Sequence, residues 1–188
     1  MATAKISGLP AATTPLAGTE LLELVQSGSS VRVTADALTA RSYLNASSAV
    51  DQTGSTTVGT AITMDTDLTG VGISVVSGSR ITFANAGTYM LTPSIQFANS
   101  ASTNYTATVW FRKNGADIAN SASVVSVPKV ADGGLTLLTV AVIETVTAGQ
   151  YIEMVWLTQN TAVTVDATAA GAVAPAVPSV LVPVVRIA

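Results

Sequence analysis

Carboxylates are the residues of this sequence with the most scope for chemistry, because the chain has neither histidine nor cysteine. Asp51, Asp65 and Asp67 form its closest acidic set, and Asp65-Thr66-Asp67-Leu68-Thr69-Gly70 would supply a few of the roughly six to eight oxygen ligands a calcium ion takes. The spacing lacks the terminal Glu of a calcium loop, so solvated loop carboxylates are the better reading. Glu144 and Glu153 fall on adjacent expected strands, where they would approach each other as glycosidase carboxylates do. No aromatic-lined cleft is evident around them, which favours two solvent-facing side chains. Gly70-Val71-Gly72 continues as Ile73-Ser74-Val75 and leaves the dinucleotide fingerprint incomplete, and no Gly-Lys-Ser phosphate loop is present.

The missing residue types remove whole reaction classes. Without Cys there are no disulfides, thiolate nucleophiles or iron–sulfur ligands, and without His neither the Ser-His-Asp triad nor the His-Glu zinc-protease motif is available. The expectation is a non-enzymatic chain with no catalytic residue, metal or cofactor. Eight Lys+Arg against eleven Asp+Glu give a net charge of −3, and only Arg112-Lys113 sets two cations side by side. Nothing there marks a nucleic-acid surface. A membrane is not expected either: the uncharged run Ala167 to Val185 holds Pro175, Pro178 and Pro183, and Lys5 is followed by Gly8, Pro10 and Pro15 rather than by the apolar core of a signal peptide.

At 188 residues, 48% hydrophobic and 10% charged, the chain has one domain's length and an unusually thin coat of charge. Its organisation falls into two parts, an N-terminal arm over 1–45 and a β-domain over 46–188. In the arm, Glu20 to Gln26 and Val31 to Thr34 flank Ser27-Gly28-Ser29-Ser30 as a hairpin, and Thr34 or Asp36 would cap a short helix through Ala37, Leu38 and Tyr43. From Ala46 the pattern is all β. Expected strands cover Val58–Met64, Val71–Val76, Arg80–Phe83 and Thr88–Phe97, with Pro93 marking a bulge or an edge. Asn114-Gly115 closes the clearest hairpin, between Tyr105–Arg112 and Ile118 onward.

Two strands are apolar on both faces. In Leu135–Ile143 one face takes Leu135, Leu137, Ala141 and Ile143 and the other Leu138, Val140 and Val142, and Val180–Ile187 behaves similarly. An antiparallel sheet normally buries one face and wets the other, so such strands need a second cover, either the arm or another copy of the chain about a symmetry axis. Leu138, Val140, Val142, Val182 and Val184 are the expected interface residues. The tract Ala167 to Pro178 is low in complexity and reads as a long loop, either disordered, an exposed tip or an inter-subunit contact. Trp110 and Trp156 lie among apolar neighbours and read as packing residues rather than sugar-stacking platforms.

Arg80-Ile81-Thr82-Phe83-Ala84-Asn85-Ala86-Gly87-Thr88-Tyr89, Trp110 to Ile118, and Ala148-Gly149-Gln150-Tyr151 through Trp156 together resemble a module common in tailed-bacteriophage virion proteins. That module is similar to the trimeric jelly rolls of tumour necrosis factor and the complement globular head, and the resemblance covers about Val50 to Ile187. The opening Lys5-Ile6-Ser7-Gly8-Leu9-Pro10 resembles the start of many phage structural proteins, where such segments attach the chain to the particle. The resemblance implies an antiparallel jelly-roll β-sandwich, a homotrimer, and a place on the virion exterior. A capsid decoration, or cement, protein bound to the major capsid protein through Lys5, Ile6, Leu9 and Pro10 is the favoured expectation. The alternative is a tail-fibre or receptor-binding head that grips host glycan or protein.

Overall fold

Apolar and polar residues alternate with a period of two through most segments beyond Tyr43, the signature of strands with one face in a core. The computed structural model describes residues 21–34 and 41–188. The first elements, β1 (Leu21–Gln26) and β2 (Ser29–Thr34), pair as an antiparallel hairpin. Its two-residue turn places Ser27 and Gly28 at φ 51° and 80°, the geometry whose twist matches that of the strands. This hairpin belongs to one compact unit that ends at Ala40, and a second unit begins at Arg41.

The second unit contains β3 (Tyr43–Ser48), β4 (Gln52–Thr53), β5 (Thr60–Ala61), β6 (Thr66–Val71), β7 (Ile73–Val76), β8 (Arg80–Phe83) and β9 (Gly87–Leu91). It continues with β10 (Ser94–Asn99), β11 (Tyr105–Lys113), β12 (Ala116–Asp117), β13 (Ser123–Val127), β14 (Leu135–Thr139), β15 (Val142–Val146), β16 (Tyr151–Thr158), β17 (Val163–Val165) and β18 (Val180–Arg186). Sheet one sets β6, β3 and β18 side by side, then β9 with β15 and β10 with β14, and extends from β10 through β17 to β4. Sheet two runs β7, β8, β16, β11, with β12 and β13 on β11 and β5 on β16. Every strand pairing described is antiparallel. The architecture is the jelly-roll β-sandwich that the sequence implied.

Several boundaries differ from expectation, each for a local reason. Tyr43 to Asn45 are strand rather than arm or helix, because they pair with Val185, Val184 and Pro183 of β18. Arg41 and Ser42 are not helical either, and the rest of the expected helix falls on 35–40, outside the described residues. Pro93 interrupts an interior strand rather than marking an edge: it separates β9 from β10, while Thr92 N donates to Pro183 O and Val140 N to Pro93 O, both at 3.2 Å. The facing strand breaks at the same level, between β14 and β15, so both sides of the ladder change direction together. Of the expected strand Val58–Met64 only Thr60–Ala61 pairs. Asn114 and Gly115, at φ 51° and 83°, close the β11–β12 hairpin as expected.

The inward faces of the two sheets make one apolar core. Phe83 packs on Tyr89 with centroids 4.4 Å apart, and Phe97 on Trp156 at 5.6 Å. The Tyr89 hydroxyl donates to Asn85 O at 2.9 Å, so the tyrosine that follows the turn re-enters the core with its polar end satisfied. Among the described residues no helix is long and apolar enough to cross a membrane.

Candidate functional site: the outward face of sheet one

The alternation that buries one side of sheet one exposes the other, and the strand register decides what is shown. Ile143 stands opposite Met90, Met90 opposite Val185, Val185 opposite Tyr43, and Tyr43 opposite Val71. This row crosses β15, β9, β18, β3 and β6, about 19 Å at the usual strand spacing. Ile143 is 58% exposed, and Tyr43, Val71 and Val185 lie between 38% and 49%. A parallel row, Thr139, Ser94, Leu181, Ser47 and Thr66, carries small hydroxyls around one leucine. Leu135 and Leu137 extend the face along β14. None of these positions holds a charge, which is the composition of an interface centre.

The doubly apolar strands divide into the two faces that the sequence indicated, and the face of Leu138, Val140, Val142, Val182 and Val184 turns toward the opposite sheet. Val182 and Val184 are fully buried within one chain, and Leu138, Val140 and Val142 pack against the same core. Val182 and Val184 are therefore core residues, whereas Leu138, Val140 and Val142 turn toward the opposite sheet and stay half-buried. The outward set is Leu135, Leu137, Ile143 and Val185. Lys5, Ile6, Leu9 and Pro10 lie outside the described residues.

The carboxylates do not assemble into a reactive pair. Glu144 is on β15 of sheet one and Glu153 on β16 of sheet two, so strands adjacent in sequence belong to different sheets. Glu144 Oε2 is 2.7 Å from Lys113 Nζ; Glu153 Oε1 accepts from Ser79 Oγ at 2.7 Å and is 3.5 Å from Arg80 Nε. Asp51 accepts from Ala167 N at 2.8 Å and Asp65 from Ala49 N at 3.1 Å, so each holds a loop. The Asp67 side chain lies outside the described residues. Among the described residues no group of three or more potential ligands could hold a metal. Burial first, and the neighbouring Asp51 charge second, raise the Asp166 carboxyl above its ordinary range. Asp117 is shifted the opposite way by the hydrogen bond from Arg112 and then that from Trp110.

Both tryptophans are engaged in packing. Trp156 is wholly buried, and Trp110 donates Nε1 to Asp117 Oδ1 at 2.7 Å with Arg112 over its ring at 5.5 Å. Sequence reasoning did not find the Ile143-to-Val71 row, since its five members are scattered from Tyr43 to Val185. The only local signal was the second apolar face of each doubly apolar strand.

Fold and face together define a tumour-necrosis-factor-like jelly roll with one uncharged, partly apolar sheet surface. Among solved structures, it is similar to murine APRIL at pH 8.5, with a TM-score of 0.51 and 11% identity over 78% of this chain and 99% of that one. The crystal structure of murine APRIL at pH 8.0 matches with a TM-score of 0.51 and 12% identity over the same shares. At these identities the likeness shows the fold. No family model matches the chain, and no curated protein matches it.

Proposed function

We propose that this chain is a non-enzymatic structural protein of a tailed-phage virion, a homotrimer that decorates the head exterior and stabilises it. The observation that carries self-association is the uncharged row Ile143, Met90, Val185, Tyr43 and Val71 on a sheet face that would ordinarily be wetted. A continuous exposed apolar surface marks an interaction site, and a rotation axis lets one chain cover it with copies of itself. The virion assignment is supported by the three sequence blocks and the opening Lys5-to-Pro10 segment that resemble phage structural proteins. In this reading the segment over 1–40 fastens each subunit to the major capsid protein, and three such attachments on one trimer multiply into avidity.

Deleting residues 1–40 tests the division of labour. The expected product is a folded trimer that no longer joins heads lacking the native protein. A truncated chain that fails to fold contradicts the two-part organisation, and full-length protein that binds host cells but not undecorated heads makes it a receptor-recognition head instead.

A further inference from the structure

We propose that the cleft where β3 begins and β18 ends binds an acidic peptide segment of a partner protein, with Arg41 and Arg186 holding its carboxylates. The charge balance of the second unit singles it out. Arg80, Arg112, Lys113 and Lys129 each pair with a carboxylate, at 3.5, 2.6, 2.7 and 3.8 Å. Arg41 and Arg186 are the two cations left, and neither meets a carboxylate side chain among the described residues. Both line one cleft of about 490 Å³, together with Ser42, Tyr43, Val185 and Ile187.

The strand register brings the two together. Tyr43 stands opposite Val185 in the β3–β18 ladder, and one step further Arg186 N donates to Ser42 O at 2.8 Å, so both strand ends carry an arginine to the same rim. Ser42 is 3% exposed and accepts from Asn85 Nδ2 at 3.4 Å, which anchors that end of the cleft. Arg186 uses only Nε, on Ala188 O at 3.1 Å. Its two terminal nitrogens and the whole Arg41 guanidinium are without a partner among the described residues. A guanidinium presents such donors in a planar fork that matches a carboxylate or phosphate.

Charge, wall chemistry and depth select the ligand. Two cations are too few for a polyanion such as nucleic acid, whose affinity comes from neutralising many phosphates, and a chain of net charge −3 has no wider basic surface to add. The walls are apolar: Tyr43, Val185 and Ile187 are 38%, 40% and 50% exposed, which suits aliphatic neighbours of the acid. The same exposures make the cleft shallow, whereas a small-molecule pocket encloses about 70–90% of its ligand. Side chains on a docked segment fit such a recess. Occupancy of the cleft is independent of whether the chain sits on a head or a tail.

Fluorescence anisotropy of the full-length protein with a labelled, end-blocked peptide of alternating Leu and Glu gives the test, beside the same peptide with Gln for Glu. Inorganic phosphate and octanoate serve as competitors. The Glu peptide is expected to bind about tenfold or more tightly than the Gln peptide, and Arg41→Gln and Arg186→Gln each to weaken it about tenfold, the effect of losing a hydrogen bond between charged groups. Affinity should fall as salt rises. Arg41→Glu should turn the preference toward a Leu-Lys peptide, a gain that loss of folding cannot imitate. Equal binding of the Glu and Gln peptides, unchanged binding in either Arg→Gln variant, or no binding by the full-length protein, as when a second copy covers the cleft, overturns the proposal. Displacement by phosphate or octanoate as complete as by unlabelled peptide at the same concentration makes the cleft a small-anion site and overturns the peptide assignment.

Discussion

Lys113 Nζ lies 2.7 Å from Glu144 Oε2, a contact that joins β11 of sheet two to β15 of sheet one. Lys113 also donates to Thr145 O at 3.3 Å, so one ammonium spans the rim of the sandwich. The side chains are 34% and 19% exposed, which puts their coupling near the upper end for surface pairs. A double-mutant cycle with Lys113→Met and Glu144→Gln should return about 1 kcal/mol of interaction in denaturant unfolding. Zero coupling would assign the closure of this rim to packing alone.

Gly54 shows how closely the loops are fitted over the core. A Cβ there would stand 2.7 Å from Trp156 Cη2, and Trp156 is wholly buried and also packed by Phe97. Gly54→Ala should therefore destabilise the fold by about 1–3 kcal/mol through overpacking. A melting temperature equal to the parent's would mean that the loop moves freely away from the indole.

The two faces of sheet one should respond to charge in opposite ways. Val182 is buried in the chain's own core, so Val182→Glu should abolish folding, a cost above about 4 kcal/mol. Leu137 is 63% exposed in the single chain, so Leu137→Glu should keep the β circular-dichroism spectrum while weakening self-association by about tenfold or more. Sedimentation at several concentrations reads the difference. An unchanged trimer in Leu137→Glu would remove that part of the face from the interface.

The division of the doubly apolar strands was legible because the period of two separates their faces without any knowledge of the fold. Which face turns inward was not: Leu138 and Leu137 are chemically alike, and only the packing of β14 against β10 and the opposite sheet decides between them. The same limit hid the Ile143-to-Val71 row, whose members meet only through long-range register. Asn114-Gly115 and Ser27-Gly28 were legible because a turn that needs positive φ is written in two adjacent residues. The reading of Glu144 and Glu153 as two solvent-facing side chains missed their ion pairs with Lys113 and Arg80, because which cation lies beside each depends on the placing of β15 in sheet one and β16 in sheet two.

Asp166 gives a pH signature. Burial, with Asp51 adding to it, raises its folded carboxyl above the ordinary value of 3.8, so the folded state holds the proton more tightly than the unfolded state. That contribution favours folding at low pH and is lost as pH rises through the folded pKa. Asp166→Asn, which cannot ionise, should melt higher than the parent at neutral pH, with the gain vanishing as the pH falls into the ordinary carboxylate range. A gain that persists in acid would trace the effect to something other than charge.

The central claim is that this jelly roll is part of a phage particle, and electron microscopy of whole phage labelled with antibody against residues 46–188 tests it most directly. The account expects label spread over the head. Label confined to the tail would replace decoration with receptor recognition, and particles carrying no label would contradict the virion assignment outright.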